Sequence, residues 1–178
     1  MRSRKTSKKK LEPRLEEAKT GKRRVYFVDA AHFVFTAFLG YLWCFTRIFV
    51  RTPHGRQRLN VLGALDAVSK EVVTVINETY INAAAVMELL EKLVVASPGI
   101  PITVVLDNAR YQRCNAVIEH ARKLGIELLF LPSYSPNLNL IERLWRLVKK
   151  LVLNSQYHPD FRSFRESIIN CLTTLHEK

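Results

Sequence analysis

Cysteine is scarce, and acids are outnumbered. Only Cys44, Cys114 and Cys171 occur, an odd number without CxxC spacing, which excludes a disulfide framework and a zinc site built on paired cysteines. A reducing intracellular compartment fits that usage. The N-terminus is basic but has no apolar run behind it, so no secretory signal is read there, and no internal repeat is visible. One uncharged run, Ala30 to Thr46, invites a membrane reading. It is bounded by Asp29 and Arg47 and interrupted by His32, Thr36, Gly40 and Thr46, whereas a span needs about 20 mostly apolar residues. Its aromatic and β-branched content reads better as buried strand and turn, so no membrane partner is expected.

What is abundant is positive charge. The 178 residues carry 28 Lys and Arg against 16 Asp and Glu, a formal net charge of +12. Met1 to Arg24 alone holds eleven bases and three acids, leaving about a third of the excess for the rest. Such an excess points to polyanionic partners and says nothing about fold. The remaining composition, 48% hydrophobic and 25% charged, is that of one globular domain. We therefore expect a basic tail and helical linker over residues 1–21 and a folded domain over residues 22–178.

Along that domain, strand and helix signals alternate. RVYFV reads as a first strand stopped by Asp29, resuming past a bulge or turn into FVFTAF and LWCF. Leu59–Leu65 reads as a second strand, and EVVTVI, after a turn at Ser69-Lys70, as a third; the three form an antiparallel meander. Asn82 is a candidate N-cap for the helix NAAAVMELLEKLVVA, which Pro98-Gly99 stops. PITVVL, a helix from about Arg110 to Leu124 closed by Gly125, and IELLFL then form a strand–helix–strand crossover, right-handed and parallel. Ser135-Pro136 opens a helix carrying Glu142, with Leu138, Ile141, Leu144, Trp145, Val148 and Val152 on its buried face. Asp160 opens a last helix with Phe161, Phe164, Ile168, Cys171 and Leu175 on one side.

Two acids, Asp29 and Asp107, close apolar strands, where α/β sheets collect ligands, although Asp in that place also serves as a plain turn residue. Glu142 falls on the border between the buried face of its helix and a basic arc of Arg143, Arg146, Lys149 and Lys150. It has bland readings too: Asn139-x-x-Glu142 matches a capping box, and Glu142 with Arg146 an i,i+4 ion pair. Three converging carboxylates repel one another, and a pair of Mg²⁺ ions reverses that preference while activating an oxygen for phosphoryl displacement. A basic arc beside them suits a phosphate backbone.

FVDAAHF, LDNARYQ and LPSYSPNLNLIERLW resemble the three blocks of DDE transposases of the mariner-like superfamily, most closely its bacterial insertion-sequence 630 branch. The 34 residues between Asp107 and Glu142 match that family's DD34E interval. The resemblance implies an α/β, RNase H-like fold with a mixed five-stranded sheet in order 3-2-1-4-5 and helices on both faces. It implies Asp29, Asp107 and Glu142 as catalytic metal ligands for two Mg²⁺, replaceable by Mn²⁺. DNA contacts fall to Asn108, Arg110, Arg143, Arg146, Lys149 and Lys150. The implied activity is cleavage at transposon ends and joining of the 3′-hydroxyl to target DNA at TA, by a homodimer or higher assembly in a bacterial, nucleoid-associated cytoplasmic setting. Where relatives carry His five residues after the second Asp, this chain has Gln112; where they carry Pro before Ile-Glu, it has Leu140. The family's N-terminal helix-turn-helix is expected to be absent and separately supplied.

Two rival readings stand beside this one: a catalytically inactive, truncated transposase that regulates by binding DNA or a partner, and an RNase H-like nuclease for RNA–DNA hybrids. Asn108 orients a water or phosphate, or begins an Asx turn. His32 reads as a satisfied core residue more than a ligand. Trp43 and Trp145 could stack on bases, with Trp145 on the apolar face reading as core, and Arg56 and Arg58 contact DNA or solvate a loop.

Overall fold

A computed structural model describes residues 2–36, 45–47, 49, 57–132, 139–154 and 156–174, with side chains from Lys10 onward. The elements are α1 (Arg2–Lys19), β1 (Arg24–Phe35), β2 (Gln57–Asp66), β3 (Val72–Asn77), α2 (Ala83–Ala96), β4 (Ile102–Leu106), α3 (Asn115–Lys123), β5 (Glu127–Phe130), α4 (Ile141–Val152) and α5 (Phe161–Thr174). They build one sheet in the order β3-β2-β1-β4-β5. The β1–β2 and β2–β3 ladders are antiparallel, as the meander required; β4–β5 is parallel, as the crossover required, and β1–β4 is parallel as well.

The first strand does not stop at Asp29. Its pairing with β2 runs unbroken from Tyr26↔Asp66 to Phe35↔Gln57, with no bulge or turn at the acid. The turn preference of Asp yields here to a long partner strand and to the alternating burial of Ala31, Phe33 and Phe35. Residues 42–44 of the expected LWCF continuation lie outside the described residues, and Phe45 is exposed.

Because strand side chains alternate, β1 divides the interior in two. Val25, Phe27, Ala31, Phe33 and Phe35 join one core with Leu11 and Ala18 of α1, Trp145 and Val148 of α4, and Phe164 and Ile168 of α5. Tyr26 and Val28 join the other with Leu89, Leu90 and Leu93 of α2 and Val117 of α3. Helices thus cover both faces.

Local chemistry accounts for most helix ends. The Asn82 side chain accepts from the Ala85 N–H at 3.0 Å, and the Asp160 carboxylate accepts from the Ser163 N–H at 2.7 Å, so both expected caps form. Gly125, at φ +70, ends α3, and the Ile126 N–H bonds back to the Ala121 carbonyl at 2.9 Å. Phe164, Ile168 and Leu172 form the buried side of α5, with Phe161 and Cys171 partly buried beside them; Leu175 is outside the described residues.

Two starts differ from expectation. α3 begins at Asn115, not Arg110, because side chains hold the preceding residues in turns: Asp107 Oδ1 accepts from the Ala109 N–H at 3.4 Å and Asn108 Nδ2 donates to the Leu131 carbonyl at 2.5 Å. α4 begins at Ile141 without a side-chain cap, and the proposed Ser135-Pro136 start lies outside the described residues. The capping box is not formed, since Asn139 Oδ1 is buried without a hydrogen-bond partner.

The linker region is helical from Arg2 and is bound to the sheet. Beyond the burial of Leu11 and Ala18, Arg14 Nε meets Glu127 of β5 at 2.8 Å, Arg23 meets Glu17 at 2.5 Å, and Thr103 donates to Glu127 at 2.8 Å. These groups are partly exposed, so the network fastens α1 more than it stabilises the domain. Glu127→Gln is expected to weaken the docking of α1 by roughly 1 kcal/mol and so to speed hydrogen exchange across Leu11–Lys19, with sheet amides unchanged. Exchange measured by mass spectrometry checks it.

Candidate active site

The parallel ladder between β1 and β4 ends at Phe27↔Val105. Two residues further along each strand stand Asp29 and Asp107, so the acids are level on neighbouring strands. Each is two residues from a side chain in the α4-side core, Phe27 and Val105, and therefore shares that face. Beyond Leu106 β4 no longer pairs, which opens the sheet edge of β1 beside Asp29.

Glu142 lies in the first turn of α4, half-buried between Ile141 and Trp145 in the core and Arg143 and Arg146 in solvent. The border position read from the sequence is thus correct. The suggested ion pair with Arg146 is not among those formed by the described residues. Asn139, Leu140, Glu142, Arg143 and Arg146 line one wall of a cavity of about 480 Å³, and Leu11 and Leu15 of α1 line the other.

The electrostatics tie the three acids together. Burial, first, pushes the Asp29 carboxyl from its ordinary 3.8 up to about 6; the Ala30 N–H opposes this, and the charges of Asp107 and Glu142 reinforce it. The Trp145 indole has a small opposing effect from a position short of a true hydrogen bond. The donor set, three carboxylates, suits a hard cation such as Mg²⁺. As the side chains stand, no three His, Cys, Asp or Glu among the described residues are gathered tightly enough to hold an ion.

Around the acids, Arg110, Arg143, Arg146, Lys149 and Lys150 are exposed, and Lys149 Nζ lies 5.9 Å from the Phe33 ring centre. Asn108 is partly spent on Leu131 and does not form the Asx turn, which Asp107 makes instead. His32 Nδ1 is 2.6 Å from Asn60 Oδ1, so the ring is satisfied as expected, but it is exposed on β1 and not in the core. Arg58 is exposed on β2, Trp145 is core, and Trp43 and Arg56 lie outside the described residues.

The sequence reading missed Tyr111 and Gly63. The Tyr111 phenol is pushed up to about 12 by burial, then by Asp107 and Asp29, so it stays a neutral donor beside the acids. Nothing in its spacing announced it. Gly63 pairs with Asp29 across the sheet, and a glycine inside a strand was a usable signal of close approach.

A sequence model of the DDE superfamily endonucleases matches residues 24–165. The chain belongs to that superfamily. No curated protein sequence matches it. Among solved structures, the DDE domain resembles the Mos1 mariner paired-end complex with Mn, at 17% identity and TM-score 0.67, over 98% of this chain and 59% of that one. It resembles the Mos1 Strand Transfer Complex at 19% identity and TM-score 0.67, over 99% and 58%. The HTLV-2 integrase catalytic core domain in complex with magnesium follows at 14% identity and TM-score 0.57, over 86% of both chains. At these identities the likeness is one of fold, the RNase H-like sheet that the strand order displays. The chain spans under three fifths of the Mos1 transposase chains in those complexes.

The raised Asp29 pKa has a testable sign. The folded DDE domain keeps a proton that the unfolded chain releases between 3.8 and about 6. The stability from this group is complete below the lower value and lost as pH rises through the upper one. Without metal at about pH 7.5, Asp29→Asn should therefore be more stable than wild type by about 1–3 kcal/mol, the gap closing towards about pH 4. Urea denaturation at the two pH values checks it.

Proposed function

We propose that this DDE endonuclease domain is the catalytic part of a mariner-like transposase of the insertion-sequence 630 branch, with a DD34E triad. It cuts DNA at transposon ends and joins the freed 3′-hydroxyl to target DNA, at TA. The observation that carries the reading is the set of three acids on the α4 side of the sheet, two of them level on neighbouring strands where β4 ends, with the charges of Asp107 and Glu142 both acting on Asp29.

In the first step a water oxygen bonds to phosphorus, its proton passes to solvent, and the strand's 3′-oxygen leaves. In the second, that 3′-hydroxyl attacks a target phosphodiester and displaces another 3′-oxygen. Asp29, Asp107 and Glu142 would hold two Mg²⁺, or Mn²⁺, which supply charge stabilisation for the attacking and leaving oxygens. Arg110, Arg143, Arg146, Lys149 and Lys150, with Asn108, hold the DNA backbone against the acids, and Tyr111 offers a neutral hydrogen-bond donor there. Partners are the transposon ends, target DNA and a second copy in a synaptic assembly, with end recognition by a helix-turn-helix portion. Such work places the protein on the nucleoid in bacterial cytoplasm.

Wild type is expected to nick supercoiled plasmid with Mn²⁺ or Mg²⁺. Glu142→Gln should bind the same DNA yet nick it more than about 10²-fold more slowly; unchanged nicking would contradict the role of Glu142. Arg146→Ala should weaken binding to all sequences alike and reduce the slope of log affinity against log salt by about 1. Filter binding across a salt series measures that slope.

The carboxylates' failure to gather, as they stand, favours a second reading in which the domain is a DNA-binding regulator without catalysis. A regulator shifts plasmid without nicking it under either cation.

A further inference from the structure

Gly63 stands on β2 directly across from Asp29. A Cβ at that position would lie 2.7 Å from both Cη2 and Cζ2 of Trp145, and 3.2 Å from Cδ1 of Ile141. No rotation of a flexible side chain relieves such a contact, because the indole is 5% exposed and packs edge-on against Phe33, centroids 6.3 Å apart at 81°. The absent side chain is therefore a seat for the indole.

The edge of the ring over that seat matters. In an indole, Cζ2 and Nε1 are bonded to the same carbon, so the edge above Gly63 is the one that carries the N–H. Among the described residues that N–H is buried and has no hydrogen-bond partner. The acid paired with Gly63 is Asp29, and cross-strand partners share a face, so the Asp29 side chain leaves β1 on the side where the indole sits. Trp145 also lies one helical turn after Glu142, so a single turn of α4 carries both an acid and a buried, unpartnered donor.

We propose that Trp145 is the positioning residue of Asp29: its indole N–H, seated by Gly63, orients that carboxylate to share a divalent cation with Asp107 and Glu142. The inference rests on the reading of these acids as a metal centre. One carboxylate oxygen faces the N–H and the other is left for the cation, the arrangement by which outer groups orient metal ligands. Closing the final gap between N–H and oxygen accompanies the gathering of the acids.

A core tryptophan that merely fills space predicts something different. The 178-residue chain labelled with ¹⁵N at its indoles gives resonances for Trp43 and Trp145, assigned with Trp43→Phe. The Trp145 N–H resonance is expected to move on Asp29→Asn and again on Mg²⁺ addition. Replacing Trp145 by benzothienylalanine, which keeps the shape and exchanges N–H for sulfur, should weaken Mg²⁺ binding by about 10- to 100-fold at unchanged melting temperature. Gly63→Ala should weaken it similarly, and if that variant does not fold the sulfur isostere, which leaves backbone and shape unchanged, decides the matter. An indole resonance that ignores Asp29→Asn, or a sulfur isostere that binds Mg²⁺ as wild type does, overturns the inference. If the resonance follows Asp29→Asn but wild type takes up no Mg²⁺ by calorimetry, the metal-centre reading fails, and the cation part of the inference with it.

Discussion

The domain depends on the unequal lengths of the strands beside β1. On one side β2 pairs with it as far as Phe35, while on the other β4 stops pairing at Val105. The strand thus continues, held by one neighbour, past the point where the other has ended. Asp29 occupies that point. Its backbone is fixed by the antiparallel ladder while its side chain faces the opening that the end of β4 leaves. An acid at a fraying strand end could not be held as firmly, and one deeper in the sheet would have no access to solvent or substrate.

That placement carries an electrostatic cost. Burial and two neighbouring carboxylates make ionised Asp29 unfavourable, and the fold meets this with few compensations: the Ala30 N–H and the edge of the Trp145 indole. The bases of α4 do not neutralise the acids by pairing, since Arg143, Arg146, Lys149 and Lys150 point to solvent. Positive charge lies on the exposed side of α4, and the acids lie on the side of α4 that faces the sheet. This separation suits a polyanion that brings its phosphates and cations to the acids.

Much of this was legible from residue order. Asn82, Gly125 and Asp160 marked helix ends through local chemistry that does not depend on the fold, and the apolar run ITVVL marked a strand covered on both faces. The border position of Glu142 followed from helical periodicity alone. The failures share a cause: tertiary partners overrode local preference. Asp29 was read as a stop because Asp disfavours strands, yet the long β2 carried the strand through it. Arg110 to Cys114 were read as helix because their composition permits one, yet Asp107 and Asn108 bound the backbone otherwise. The contribution of Tyr111 arises only once the chain has folded back beside Asp107, and no spacing rule reports it.

The most direct test of the account is anomalous diffraction from crystals of this domain soaked with Mn²⁺ in the presence of a short DNA end. The account predicts Mn²⁺ bound between Asp29 and Asp107, with Glu142 drawn in as a further ligand. Acids that remain apart and bind no Mn²⁺, even with DNA on the basic face, would contradict it.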